Sequence, residues 1–593
     1  MVNLNSPVYP EQEREFSSRS RQRRIQQLQR HPETFDLIIV GGGIVGAGLA
    51  QEAVAAGLKV ALIEKGDFAS GTSSKSSKLL HGGLRYLEHY EFALVFEALS
   101  ARNALFDRFP HLAKKVPFLM PVYKRYEEKA WFINLGCWLY DAFSWLSSPG
   151  HTRLHRFINR RKLTAMEPRI QQEDFEGGLQ FFDAACDDAR LVMETLKTAQ
   201  AAGADIFNYL QVTGFAQQGD RTDTVQVKDL ISDTDFSLSA KYIVNATGPW
   251  ADHLNRLANP NEPSYLRPSK GVHIIVPRLT EVERAVMLKS VPDSSGKQRW
   301  MFIIPYDDYS LVGTTDTDYE GDTTSDYLDH DNYASLEDVD YLLASVNAIY
   351  PEAQLRRKDV VSSFGGWRPL VSPPGKSGLH ESDLSRDHEI FDTTTGIVML
   401  AGGKLTTYLY MAQDLLQYLR KKDASLFPKQ SPKVLQPLCN QHLATSEAEL
   451  FEQVSQALSA FPEDWRARLL RRYGSEVVTL AKLLPLLKQG LSPIRGLSDD
   501  IPLLYVELAY SVFYEQCIHL NDMLLRRQRI LLKERQQGKQ AAKAVAETMA
   551  NLLSTLHYWS AAAKQAWITQ ELAAFEAELA RTNAWQKEAE KEA

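Results

Sequence analysis

Gly41, Gly43 and Gly46 stand in the spacing G-x-G-x-x-G. This spacing allows a tight turn, a close approach of backbone to a pyrophosphate, and close packing of a helix on a strand. Glu64 lies about twenty residues further on, where an acidic side chain accepts hydrogen bonds from an adenosine ribose. A second constellation is Gly71–Leu87, GTSSKSSKLLHGGLRYL, with four serines, Thr72, two lysines, one histidine and one arginine around Gly82-Gly83. Short hydroxyls beside a flexible turn donate many hydrogen bonds and can aim Arg85 and Tyr86 at an anion. A third is Gly402-Gly403-Lys404-Leu405-Thr406-Thr407, which puts a lysine in a glycine turn.

The elements around these residues have to hold them in place. Phe35–Val40 (FDLIIV) is a short, nearly continuous apolar run, as expected of a strand buried on both faces of a parallel sheet. A small-residue helix from Ile44 to about Ala56 follows the glycines, and Lys59–Glu64 (KVALIE) reads as the next strand. The unit is βαβ, and the helix N-terminus offers unpaired N–H groups and a positive dipole end to phosphates. A ligand-free glycine turn explains this poorly, since three glycines would cost the helix entry conformational entropy without return.

The acidic residue does not choose between FAD and NAD. Thr247-Gly248 after the strand YIVNA resembles the A-T-G turn of flavoproteins of the glutathione-reductase superclass. The Gly402–Thr407 turn follows the strand IVMLA and opens the helical run YLYMAQDLLQYL, a second helix N-terminus able to hold the pyrimidine end of an isoalloxazine. FAD is therefore the expected cofactor. Its expected contacts are Gly41, Gly43, Gly46, Glu64, Thr72, Ser73, Ser77, Lys78, Gly82, Gly83, Thr247, Gly248, Gly403, Leu405 and Thr406.

The Gly71–Leu87 stretch resembles the signature of the FAD-dependent glycerol-3-phosphate dehydrogenases. FDAACDDARLV (182–192), RPSKGVHIIVP (267–277), GGWRPL (365–370), SRDHEI (385–390), GGKLTTY (402–408) and DMLLRRQR (522–529) are similar to further segments of that family. MFIIPYDDYSLVGTTD (301–316) is similar too, with Tyr306 where the family usually has Trp. The likeness runs from Phe35 to about Leu532, and the flanking segments read as additions. It implies an α/β fold: a Rossmann-like FAD-binding domain of the glutathione-reductase superclass, an antiparallel-sheet substrate domain and an all-α C-terminal domain. The expected boundaries are a polar basic extension over 1–34, the FAD domain with interleaved substrate domain over 35–430, and the helical domain over 431–593.

The same resemblance implies sn-glycerol 3-phosphate as substrate; the residues themselves argue for a small phosphorylated alcohol. A phosphate dianion calls for arginine forks, and Arg85, Arg368 and Arg386 are the expected ones, with Tyr86 and Thr407. Oxidising a secondary alcohol moves a hydride to the flavin and requires the hydroxyl proton to leave. His273 is the expected base; Arg368 or Lys404 could instead stabilise the developing alkoxide. The expected electron acceptor is a membrane quinone. Alternatives are an oxidase using dioxygen, an amine or amino-acid oxidase on the same scaffold, and a non-catalytic flavin scaffold. The complete set of arginines and lysine argues against the last.

Composition bounds the rest. With 44% hydrophobic and 24% charged residues the chain is globular, and a net charge of −7 gives no basic field for nucleic acid. Cys137, Cys186, Cys439 and Cys517 are scattered, so neither a disulfide framework nor a zinc site is expected. No apolar run is long enough to span a bilayer. Ala130–Leu146 (AWFINLGCWLYDAFSWL) reads first as an aromatic helix packed on the core; an interfacial helix is the alternative that a membrane acceptor keeps open. The arginine-rich start reads as a surface helix or tail, able to touch anionic lipid, with the first ordered element at Phe35. A cytoplasmic protein, peripheral on the inner membrane and paired as a homodimer through its helical domain, completes the expectation.

Overall fold

The structure is a computed structural model that describes residues 15–592, apart from 125–129, 219–220, 281–282, 294–295, 320–326, 331, 373–386, 430–431, 441–451, 453–454, 457, 460 and 488–503. Its first sheet carries the strand order His388–Asp392, Val398–Gly402, Thr234–Asn245, Thr34–Val40, Val60–Ile63, Asp205–Phe207. The last five run parallel, and the first closes the edge as an antiparallel hairpin. The register brings Val40 level with both Asn245 and Ile63, so three carboxyl ends open at one place. In open parallel sheets that is where a ligand binds. Leu37, Ile38, Ile39, Leu62 and Ile63 are fully buried because helices cover one face and the Leu210–Gln218/Arg221–Asp229 hairpin lies on the other.

The second sheet has ten strands around Lys114–Tyr123, Phe175–Ala185, Ser269–Pro277, Trp300–Tyr306, Tyr309–Gly313 and Ser362–Arg368. It is antiparallel except where Ala285–Lys289 runs parallel to Lys114–Tyr123. One apolar core runs from this sheet into the C-terminal helices, joining Phe118, Phe181 and Leu311 to Tyr510, Leu524 and Leu553. The helical part includes Glu463–Tyr473, Tyr505–Tyr514, Lys539–His557 and Ala561–Thr582.

Two expectations change. Order begins before Phe35: Ser18–Arg30 is a helix with a capping box at Ser17. Ile25 and Leu28 are buried, and Arg21 pairs with Asp229 at 2.8 Å. A polar sequence concealed this docking because the helix is anchored by ion pairs more than by apolar burial. The aromatic segment is also not simply a core helix. Ala130–Ser147 buries Ile133, Cys137 and Tyr140, but exposes Trp131, Phe132, Leu135, Trp138, Trp145 and Leu146. Among the described residues no helix is long and apolar enough to cross a membrane.

Candidate active site

The glycine turn follows the first strand directly. A Cβ on Gly46 would lie 1.9 Å from the Gly41 carbonyl oxygen, and one on Gly41 would lie 2.5 Å from that of Ala246. Gly41 also adopts φ +118°, which side chains avoid. Gly43 caps the helix Ile44–Ala55 without a side chain, and Ser73 Oγ accepts from the Ile44 N–H at 2.9 Å. Glu64 accepts from the Gly42 and Gly66 N–H groups at 2.7 and 2.8 Å, while burial pushes its pKa up.

Gly41, Gly43, Glu64 and Ser73 border a cavity of about 580 Å³. Of the expected cofactor contacts, Gly41, Gly43, Glu64, Thr72, Ser73, Thr247, Gly248, Gly403 and Leu405 line it, as does Lys404. Gly46, Ser77, Lys78, Gly82, Gly83 and Thr406 do not. Lys78 Nζ reaches Asp188 at 3.3 Å and the Ser74 carbonyl at 3.0 Å, and burial pulls its pKa down to about 8. The Gly82 N–H donates to Tyr140 Oη at 2.8 Å. Gly83, at φ +75°, accommodates the Tyr86 ring, which a Cβ there would meet at 2.1 Å. The cradle fits a dinucleotide: backbone and glycine where phosphates approach, a carboxylate at the ribose position, and a second glycine turn at Gly402–Leu405.

The expected substrate residues are only partly assembled. Arg368 ends its strand in contact with Asp316, Thr314 Oγ1 at 2.9 Å and Ser269 Oγ at 3.2 Å. Lys404 Nζ lies 4.0 Å from the centre of the Tyr86 ring, a cation–π contact. Thr407 is buried at the start of the helix Tyr408–Lys422. The Arg85 backbone lies in the turn Leu84–His89, but its side chain and the whole of Arg386 fall outside the described residues.

His273 is buried and stacks on Phe364 at 5.0 Å. Phe364 lines the cavity; His273 does not. Its Nε2 shares a hydrogen with Ser77 Oγ at 2.9 Å, and burial, with Lys78 and Arg368 nearby, lowers its pKa to about 3. A neutral imidazole so disposed is a weak proton acceptor at neutral pH.

Several wall residues carried no signal in the sequence. Asn521, Leu525, Arg526 and Leu532 arrive from the helical domain, and Glu578 from a later helix. Arg526 is fixed by Asp67 and by Asp522 at 2.9 Å, and Arg527 holds Asp67 at 2.8 Å. The quoted DMLLRRQR segment pointed to this helix, but not to its contact with the loop after Glu64. Glu97 lies near the Lys404 turn without lining the cavity: burial raises its carboxyl pKa, Asp387 and Asp414 add to the shift, and His388 and Lys404 oppose it.

Residues 36–409 match the family model described as FAD dependent oxidoreductase, and residues 429–564 match that of the C-terminal domain of alpha-glycerophosphate oxidase. Glycerol-3-phosphate dehydrogenase 2 of Mycobacterium tuberculosis is 37% identical over 92% of this chain and 89% of its own length. Aerobic glycerol-3-phosphate dehydrogenase of Staphylococcus haemolyticus is 32% identical over 88% of this chain and 91% of its own.

The chain belongs to the FAD-dependent glycerol-3-phosphate dehydrogenase family.

The structure of a glycerol-3-phosphate dehydrogenase from Bacillus halodurans, complexed with FAD, superposes with a TM-score of 0.73 at 29% identity, covering 96% of this chain and 98% of the other. The family's cofactor is thus FAD, and the glycine cradle described above is where this dehydrogenase would hold it. The match to the helical-domain model also runs past Leu532, to 564, so that part of the chain belongs to the family and is not an addition.

Proposed function

We propose that this chain oxidises sn-glycerol 3-phosphate to dihydroxyacetone phosphate and passes the electrons to a membrane quinone. The observation that carries the reading is the convergence on one cavity of the glycine cradle and the Lys404 turn, with Arg368 ending the strand whose Phe364 forms part of its wall. The names of the relatives supply the substrate. When bound, FAD supplies the hydride acceptor for carbon 2 of the alcohol. The chain does the rest. Arg368, with Arg85 and Arg386, binds the phosphate; its fork is already oriented by Asp316 and Thr314. Lys404, held on the Tyr86 ring, places a positive charge where the alcohol oxygen becomes negative as its proton leaves. His273 fixes the Ser77 hydroxyl in this reading and leaves proton acceptance to groups nearer the cavity.

The quinone reading is supported by a second cavity, about 500 Å³, lined by Leu84, Leu87, Tyr90, Phe92, Phe132 and Trp138 among others. It is almost wholly apolar and lies beside the exposed aromatic face of the helix Ala130–Ser147. Exposed Trp and Tyr on such a face suit a membrane–water interface. The same reading makes the protein peripheral on the cytoplasmic face of the membrane. Anaerobic addition of sn-glycerol 3-phosphate to the purified holoenzyme should bleach the flavin band. Rapid recovery with a soluble quinone and slow recovery in air is the expected result. Rapid recovery in air with peroxide would make it an oxidase, and absence of bleaching would overturn the substrate.

A further inference from the structure

Helix Ala561–Thr582 lies almost entirely beyond the family's helical-domain match, which ends at 564, yet Glu578 on it lines the FAD cavity. The helix is firmly held. Glu571 accepts from the Leu520 N–H at 2.8 Å and meets His519 Nδ1 at 2.7 Å. Ser363 Oγ donates to the Thr582 carbonyl at 3.2 Å, and Asn583 Nδ2 donates to Gln537 at 2.7 Å. Beyond it, Trp585 is buried in the core under the helix Leu336–Ile349. The segment therefore straps the helical domain to the second sheet.

At the cavity, Tyr333 Oη donates to the Glu578 carboxylate at 3.0 and 3.1 Å, and Arg581 binds the same carboxylate at 2.7 Å. Lys75 Nζ lies 5.7 Å from the centre of the Tyr333 ring, and Lys75 also lines the cavity. Lys75 packs closely on Gly366, its Cβ only 2.8 Å from where a Cβ on that glycine would stand. Lys75 follows the turn Thr72–Ser74, whose Ser73 oxygen holds the Ile44 N–H at the phosphate-facing helix. A continuous chain of contacts thus runs from the C-terminal helix to the cradle.

The charges fit the same picture. Of the cavity's other described lysines and arginines, Lys65 is paired with Asp329, Arg526 with Asp67, and Lys404 sits on the Tyr86 ring. Lys75 is held by a ring face, with the Glu578 charge nearby as the largest factor keeping it protonated against burial, which brings its pKa to about 8. Lys75, like Lys404, is thus a ring-seated lysine at the cavity, positioned to serve an anionic cofactor.

We infer that Glu578, acting through Tyr333 and Lys75, is a positioning residue of the FAD site and sets how long the cofactor stays bound. The test uses Glu578→Gln, Tyr333→Phe and Lys75→Met holoenzymes, diluted well below their unfolding temperatures. FAD release is followed by the rise of free-flavin fluorescence, and thermal unfolding of the apo-proteins is measured in parallel. Release about tenfold faster in each variant, with apo-protein unfolding as in the parent, is the expected result. Adding Lys75→Met to Glu578→Gln should accelerate release by less than the product of the single effects, as expected of residues acting through one another. Release at the parent rate in the folded variants would overturn the inference. So would a fall in apo-protein stability that accounts for the faster release. No substrate is involved, so failure here is separate from failure of the glycerol 3-phosphate reading.

Discussion

The cofactor wall and the substrate wall of this enzyme are built from different materials. The first is made of backbone, glycines and short hydroxyls at the ends of three parallel strands, in shapes that local sterics dictate. The second, in the reading proposed, depends on long cationic side chains from separate elements, of which Arg368 is oriented by Asp316 and Lys404 by the Tyr86 ring. A wall of the first kind tolerates no added atom, whereas one of the second kind loses function by degrees. Substitutions at each should separate the two behaviours.

The largest effect is expected at Gly46. Alanine there would put a methyl 1.9 Å from the Gly41 oxygen, so strand and helix must part just where the pyrophosphate is received. Overpacking of this kind costs about 1–3 kcal/mol or more, and the purified Gly46→Ala protein should retain little flavin at micromolar concentration. Full flavin content, read from the absorbance ratio, would show that the cradle is softer than its geometry. At the other wall, Arg368→Ala should keep its flavin but lose roughly 10- to 100-fold in kcat/KM, as expected when a charge-assisted hydrogen bond is removed. Arg368→Lys should recover only part of the loss, because an ammonium keeps the charge but not the fork. Equal rates in the two variants would mean that charge alone matters at this wall.

The same contrast explains what the sequence made legible. The glycine cradle, Glu64 and the turns at Thr247 and Gly402 could be read because each is a local pattern whose steric reason holds whatever surrounds it. The two-sheet architecture was legible for a similar reason, since apolar runs such as FDLIIV and VHIIVP imply buried strands. What could not be read were properties of position. His273 looked like a base by type and motif, but it is buried beside Phe364 and Lys78, and that burial lowers its pKa. Asp67, Arg526 and Glu578 look like surface charges until folding brings segments hundreds of residues apart to one cavity. The segment Ser18–Arg30 was legible only as a surface helix or tail; its docking was missed because its anchors, such as Arg21 on Asp229, are ion pairs that leave little apolar periodicity.

Burial of histidines yields a third, intermediate expectation. His273 and His111 are both pushed down to about 3, largely by burial, so each stays neutral in the folded protein while the unfolded chain takes up a proton near 6.5. Below about pH 6.5 the unfolded state binds more protons, and stability must fall as pH falls. The slope is about 1.4 kcal/mol per pH unit for each histidine until pH approaches 3. His273→Gln should therefore flatten the acid side of the stability profile measured by denaturant unfolding. An unchanged slope would place His273 in contact with solvent or a hidden carboxylate.

The smallest effect concerns the proposed acceptor side, the exposed aromatic face of Ala130–Ser147, which resembles neither wall. Trp131, Trp138 and Trp145 are 69%, 56% and 55% exposed on one helix, although apolar side chains of this size are normally covered. Their partners Ile133, Cys137 and Tyr140 are buried on the other side of the same helix, so the exposed face is not a consequence of poor packing. If the face lies in a membrane interface, each ring adds a modest apolar contribution and no single one decides binding. Trp131→Ser with Trp145→Ser should lower partitioning onto lipid vesicles by roughly fivefold, about 1 kcal/mol of lost apolar contact. Reduction of a soluble dye by glycerol 3-phosphate should remain at the parent rate, because neither side chain lines the FAD cavity. Unchanged partitioning would move the membrane contact to another face. Loss of dye reduction as well would mean that the helix supports the substrate wall, joining two regions that the geometry keeps apart.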